Sequence, residues 1–152
     1  MSAIRVEDLK KALDELNTSF ARPGMDPLKV SEFCDLHNPS ESWPDAGKPG
    51  VYALFNGDKE LRYLGKASCN TCLGYRIRAH FDKHGMPKAD WAQGLQFLAT
   101  ICVPSDRAFE APAVEEFLIN RLNPPLCGIG RSSPREIAES NGEVMLDCGA
   151  SR

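Results

Sequence analysis

Two short runs of β-branched and aromatic residues, Val51-Tyr52-Ala53-Leu54-Phe55 and Leu61-Arg62-Tyr63-Leu64, are separated only by Asn56-Gly57-Asp58-Lys59-Glu60. Strand-forming residues on either side of a Gly- and Asn-containing gap predict an antiparallel hairpin. A turn at Gly57-Asp58 would set Tyr52 opposite Tyr63, and a turn at Asn56-Gly57 would move Tyr63 one diagonal away. Side chains alternate with a period of two, so both registers leave the phenols on one face of the ribbon. A three-residue loop would break that parity.

The remaining elements follow from spacing. Val6, Leu9, Leu13, Leu16 and Phe20 recur at helical intervals, with Glu7 and Asp8 in the first turn and Pro23-Gly24 as the stop. Residues 22–49 are rich in Pro, Gly, Asp and Ser and read as an irregular connector around Val30-Ser31-Glu32-Phe33. Leu73, Ile77 and Phe81 predict a helix over 72–84, with Arg76, His80 and Lys83 along an adjacent stripe. Leu95 to Val103 reads as a largely buried strand. Pro112 opens a helix that runs to about Leu122 and is ended by Pro124-Pro125. The tail from 128 carries a Ser133-Pro134 helix start and an Asn141-Gly142 turn. These elements predict an α+β fold, a small antiparallel sheet of three main strands flanked by helices.

Composition narrows the class. A chain of 152 residues with 42% hydrophobic and 26% charged residues suits a single globular domain. No stretch approaches the roughly 18 apolar residues of a membrane span, and the start lacks an apolar leader, so a cytoplasmic location is expected. Six cysteines (34, 69, 72, 102, 127 and 148) are then expected as reduced thiols. Net charge is −3, yet residues 59–88 hold seven Lys and Arg against two acidic residues. That segment is either an ordinary solvated face or a place for a phosphate partner.

The second long helix contains a carboxylate, Glu115, on the same side as Val114, Leu118 and Leu122. A carboxylate on a core-facing stripe is costly unless it meets a cation or a metal, and the spacing leaves both open. Two phenols on one ribbon face, a basic stripe and a half-buried Glu suit phosphodiester cleavage, which needs a group to orient water, a cation for developing charge and a metal for the leaving oxygen.

Gly50-Val51-Tyr52, Tyr63-Leu64-Gly65-Lys66, Leu73-Gly74-Tyr75-Arg76-Ile77-Arg78-Ala79-His80-Phe81, Glu115-Glu116-Phe117-Leu118 and Asn123-Pro124-Pro125-Leu126 together resemble the GIY-YIG nuclease family, over roughly residues 49–127. The order of these pieces and the eleven-residue interval between the phenols carry the resemblance. It implies an endonuclease that cuts nucleic acid, with DNA the expected substrate, using one Mg2+ or Mn2+ ion. It also implies roles: Tyr52 as general base or water orienter, Tyr63 positioning nucleophile or phosphate, and Arg76 stabilising the phosphorane in preference to Arg78. Lys66 would assist at the phosphate, Gly65 would permit close backbone approach, His80 would orient Tyr52 or contact phosphate, and Glu115 would hold the metal. Arg78 and Lys83 would join Gly65 and Lys66 in binding nucleic acid. The chain departs from the family at Cys127, where an Asn is usual.

The division implied is an N-terminal helix and connector (1–48), a nuclease-like domain (49–127) and a C-terminal extension (128–152). The N-terminal helix is a candidate surface for a protein partner. A nucleic-acid-binding module that kept the fold without turnover is the competing reading. Cys69, Cys72, His80 and His84 form C-x2-C-x7-H-x3-H, which could hold zinc and organise an interaction domain. The plainer and preferred reading of Cys69 and Cys72 is loop thiols, with a redox pair as a lesser alternative. Trp43 and Trp91 are expected at core edges, and His37 receives no role.

Overall fold

The computed structural model describes residues 2–128, so the Ser133-Pro134 and Asn141-Gly142 expectations and Cys148 lie outside the described residues. The fold is α+β. Its elements are α1 (Val6–Ser19), β1 (Cys34–Asp35), β2 (Gly50–Asn56), β3 (Leu61–Ala67), α2 (Leu73–Arg78), β4 (Leu95–Cys102) and α3 (Glu110–Leu122). The strands form one antiparallel sheet in the order β1-β4-β2-β3.

The hairpin turn is the three-residue loop that should have separated the phenols. Lys59 N–H donates to Asn56 O (2.9 Å) and Asn56 N–H to Glu60 O (3.0 Å), with Lys59 left-handed at φ 60°. Phe55 pairs with Leu61, but Leu54 pairs with Tyr63, so Arg62 is an extra residue in β3. This bulge moves Tyr63 back to the face of Tyr52. Tyr52 itself lies opposite Gly65, a register that neither two-residue turn would produce.

The bulge also sorts the core. Val51, Ala53, Phe55, Leu61 and Leu64 join Leu9, Leu13 and Leu16 of α1 and Ala111, Val114 and Leu118 of α3 in one apolar cluster. Tyr52, Leu54, Tyr63 and Ala67 face the other way, with Leu73 and Ile77 of α2 and with Phe81. Helices α1 and α3 therefore cover one face of the sheet, and α2 covers the other.

Three expectations are corrected. The connector is not wholly irregular, because Cys34 and Asp35 pair with Leu98 and Phe97 as an edge strand. Ser31 anchors it: its N–H donates to Thr100 O (2.8 Å), and its hydroxyl accepts the Thr100 N–H (2.9 Å). Helix α2 stops at Arg78 instead of continuing to 84. The Asp82 carboxylate accepts the N–H groups of His84 (2.8 Å) and Met86 (2.9 Å), capturing donors that the next helical turn would have used. Gly85 closes that turn at φ 74°, pressed so near Leu36 that an added Cβ would stand 1.7 Å from its carbonyl oxygen. Helix α3 starts at Glu110, ahead of Pro112, which sits in the first turn where its missing N–H costs nothing. It ends at Asn123, a left-handed cap whose N–H reaches Ile119 O (2.8 Å).

Candidate active site

The α2 face of the sheet gathers aromatic rings from distant parts of the chain. Tyr52 of β2 and Tyr63 of β3 have ring centroids 6.1 Å apart, and His80 lies 6.0 Å from the first and 6.1 Å from the second. Tyr52 Oη and His80 Nε2 are 2.9 Å apart, a hydrogen bond. Trp91 closes the group at 4.8 Å from Tyr63 and 4.9 Å from His80. Tyr52 is fully buried and Tyr63 is 7% exposed, while His80 and Trp91 are part-exposed.

Gly65 is required by this arrangement. A Cβ at position 65 would stand 2.2 Å from Tyr52 Cζ and 2.3 Å from Tyr52 Oη. The phenol lies directly over the bare backbone of the neighbouring strand.

Burial depresses the His80 pKa to about 4, helped by the positive charges of Arg76 and Lys88. His80 is therefore neutral at pH 7. Arg76, four residues before it, has Nε and Nη2 shielded from solvent and without a hydrogen-bond partner among the described residues. Buried guanidinium donors left unmet are costly, and an anion or water placed there would satisfy them.

The two neighbouring arginines part company. The Arg78 guanidinium lies over the Trp43 ring, 6.0 Å from its centroid, and Arg78 shares a hollow with Lys83 and Trp43. Lys83 is exposed and belongs to the Asp82–Met86 turn, so it has left the stripe of Arg76 and His80. Lys66 pairs with Val51, which places it by alternation on the α3 side of the sheet. Glu115 is 4% exposed on α3, whose Ala111, Val114 and Leu118 pack on that same side. The structure thus gathers Tyr52, Tyr63, His80 and Arg76 on one face, while Lys66 lies on the edge strand β3 next to the Gly65 that Tyr52 covers, and Glu115 lies on α3, which packs against the sheet from the other face.

Cys127 sits on the outer edge of β3. Its sulfur accepts the Leu64 N–H (3.2 Å) and approaches Leu64 O as a donor (3.6 Å), while Leu126 N–H donates to Arg62 O (2.9 Å). The residue packs against both apolar clusters.

The zinc expectation is corrected. His84 lies in the turn beyond α2, so the two histidines do not share a helical face, and no group of three or more His, Cys, Asp or Glu suited to a metal occurs among the described residues. Cys34, Cys69, Cys72 and Cys102 are free thiols. Trp43 and Trp91 both pack at the edge of the second cluster. The contact of Trp91 with Tyr63 and His80 was not legible in the sequence, where no periodic pattern connects residue 91 to the hairpin.

An 81-residue stretch of the chain is 35% identical to the UvrABC system protein C of Pseudomonas fluorescens (strain Pf0-1). That stretch is 53% of this chain and 13% of the relative, so the chain spans only a small part of the relative's length. No family model matches the chain, and no solved structure matches it. Among the described residues no helix is long and apolar enough to cross a membrane.

Proposed function

We propose that this chain is a GIY-YIG-type endonuclease that hydrolyses phosphodiester bonds, with DNA its substrate and little sequence preference of its own. One observation carries the reading: Arg76 holds buried, unpartnered N–H donors beside the hydrogen-bonded pair Tyr52–His80. A transferring phosphoryl group supplies the equatorial oxygens such donors lack, and their interaction strengthens as charge develops. The similarity to UvrABC system protein C over half of the chain supports the same class.

In this reading His80, neutral at pH 7, accepts a hydrogen bond from the Tyr52 hydroxyl, which keeps its proton and turns the oxygen's lone pairs toward an attacking water that they orient. Tyr52 is closed off from bulk solvent, so that water arrives with the substrate. Tyr63 positions the scissile phosphate, Arg76 binds its oxygens, and Lys66 neutralises the strand beside it. Glu115, on the helix that packs against the other face, is the residue that would hold a divalent ion, so this reading has the substrate backbone cross the β3 edge between Arg76 and Glu115. A carboxylate with no cluster of three or more ligand-type side chains among the described residues fits Mg2+ or Mn2+, which keep most of their water, better than zinc. Such an ion supplies charge for the leaving oxygen.

A plasmid-nicking assay tests this. Cutting that requires Mg2+ or Mn2+ and is abolished by Glu115→Ala and by Arg76→Ala is the expected result. Tight binding without cutting would leave the chain as a nucleic-acid-binding module on the same fold.

A further inference from the structure

We infer that this site engages an unpaired base next to the scissile phosphate, in a hollow beside Tyr75. The inference rests on the nuclease reading and adds the substrate form. Tyr75 is 66% exposed, although it follows Gly74 and precedes Arg76 on α2, whose aliphatic side chains Leu73 and Ile77 are fully buried. An exposed phenol is the one large apolar surface that this helix leaves to solvent.

The ring forms one wall of an open hollow of about 570 Å3. Pro49 and Ala108 supply apolar lining, and Ser68, Asn70 and Thr71 supply polar groups. Thr71 Oγ1 is buried there and lacks a hydrogen-bond partner among the described residues. Asn70 is held left-handed at φ 66°. The segment that carries Gly47 and Pro49 is pinned to α2, since Leu73 N–H and Gly74 N–H donate to Lys48 O (2.9 Å) and Ala46 O (2.8 Å). Ser68 directly continues β3 beyond Gly65 and Lys66.

A flat exposed ring beside the accessible polar groups of Ser68 and Asn70 fits a nucleobase, which offers a π face to the first and edge donors or acceptors to the second. The hollow opens at the end of β3 just past Gly65 and Lys66, and Tyr75 shares α2 with Arg76, so a strand whose phosphate meets the guanidinium carries a neighbouring nucleotide within reach of the phenol. In a paired duplex both faces of a base are covered by its neighbours. The base entering this hollow is therefore unpaired, as in a single strand, a flap or a gap.

The test is binding of a labelled 12-nucleotide single strand, its blunt duplex and a fully abasic strand of equal length, measured by fluorescence anisotropy with a chelator present to prevent cutting. Tyr75→Ala is expected to weaken single-strand binding about tenfold, the loss of one stacked base, with Tyr75→Phe at the wild-type value. Duplex and abasic binding should not change in either variant. Tyr75→Ala matching wild type on the single strand, or losing as much on the abasic strand, overturns the subsite. Loss of binding in Arg76→Met with Tyr75→Ala silent overturns the subsite and leaves the nuclease reading standing. Failure of the wild type to bind any of the three overturns both.

Discussion

The hydroxyl of Tyr52 and Nε2 of His80 stand 2.9 Å apart, joining the middle of β2 to a residue just beyond α2 that follows it by 28 positions. The bond ties a fully buried phenol to an imidazole whose pKa is lowered to about 4, first by burial and then by Arg76 and Lys88.

That pKa has a consequence for stability. His80 titrates near 6.5 when unfolded and about 4 when folded, so between those values the unfolded chain binds more protons. The histidine's contribution is fully present above pH 6.5 and is lost as pH falls toward 4. Urea unfolding at stepped pH should show this decline, and His80→Gln should flatten it. An unchanged slope in the variant would refute the assignment.

Arg76→Met should separate stability from activity. The substitution removes two buried donors without partners, so the unfolding free energy should stay level or rise by about 1 kcal/mol. Cutting should fall by about a hundredfold or more, as when a donor to developing charge is removed. Denaturant midpoints and nicking rates on one preparation check both halves.

Gly65→Ala should destabilise by about 1–3 kcal/mol, because its Cβ would overlap the Tyr52 ring at 2.2 Å from Cζ. Tyr52→Phe keeps Cζ and should give no rescue in the double variant, whereas Tyr52→Leu should recover part of the loss. A double-mutant cycle by urea unfolding reads the coupling.

Cys127→Val should cost about 1 kcal/mol by removing the acceptor of the Leu64 N–H at the β3 edge, and Cys127→Ser should cost less. Amide exchange at Leu64 is the local reading: it should quicken in the valine variant and change little in the serine one.

Much of the fold was legible because neighbouring residues fixed it. The apolar intervals of 6–20 marked α1, the β-rich runs marked β2 and β3, and the long apolar run from Leu95 marked β4. The phenols were correctly expected on one face. The turn itself was not legible: the loop has three residues, and a bulge at Arg62 restores the parity. Bulges answer to packing on both faces of a strand, here Leu61 on one side and Tyr63 on the other, and a single strand's residue pattern does not display both.

The end of α2 shows a similar limit. Ile77 and Phe81 keep a four-residue interval on either side of the helix terminus, so spacing alone extended the helix. Asp82 ends it through its own side chain, and the turn is held by Gly85 packing on Leu36, a contact across 49 residues that no local pattern records.

What the amino-acid order determined by itself was the set of elements and the chemistry they carry: phenols on a ribbon, a basic helix and a carboxylate on an apolar stripe. Only the tertiary structure decided which of these meet. It set Tyr52 over Gly65, brought the charge of Arg76 near enough to lower the His80 pKa, laid Arg78 over Trp43, brought Trp91 against the cluster and put α3 on the face of the sheet away from the phenols. Short-range preferences act through bonded neighbours and survive in any context. Contacts between strands and helices depend on register and on which face is buried, and those are fixed only when the whole core closes.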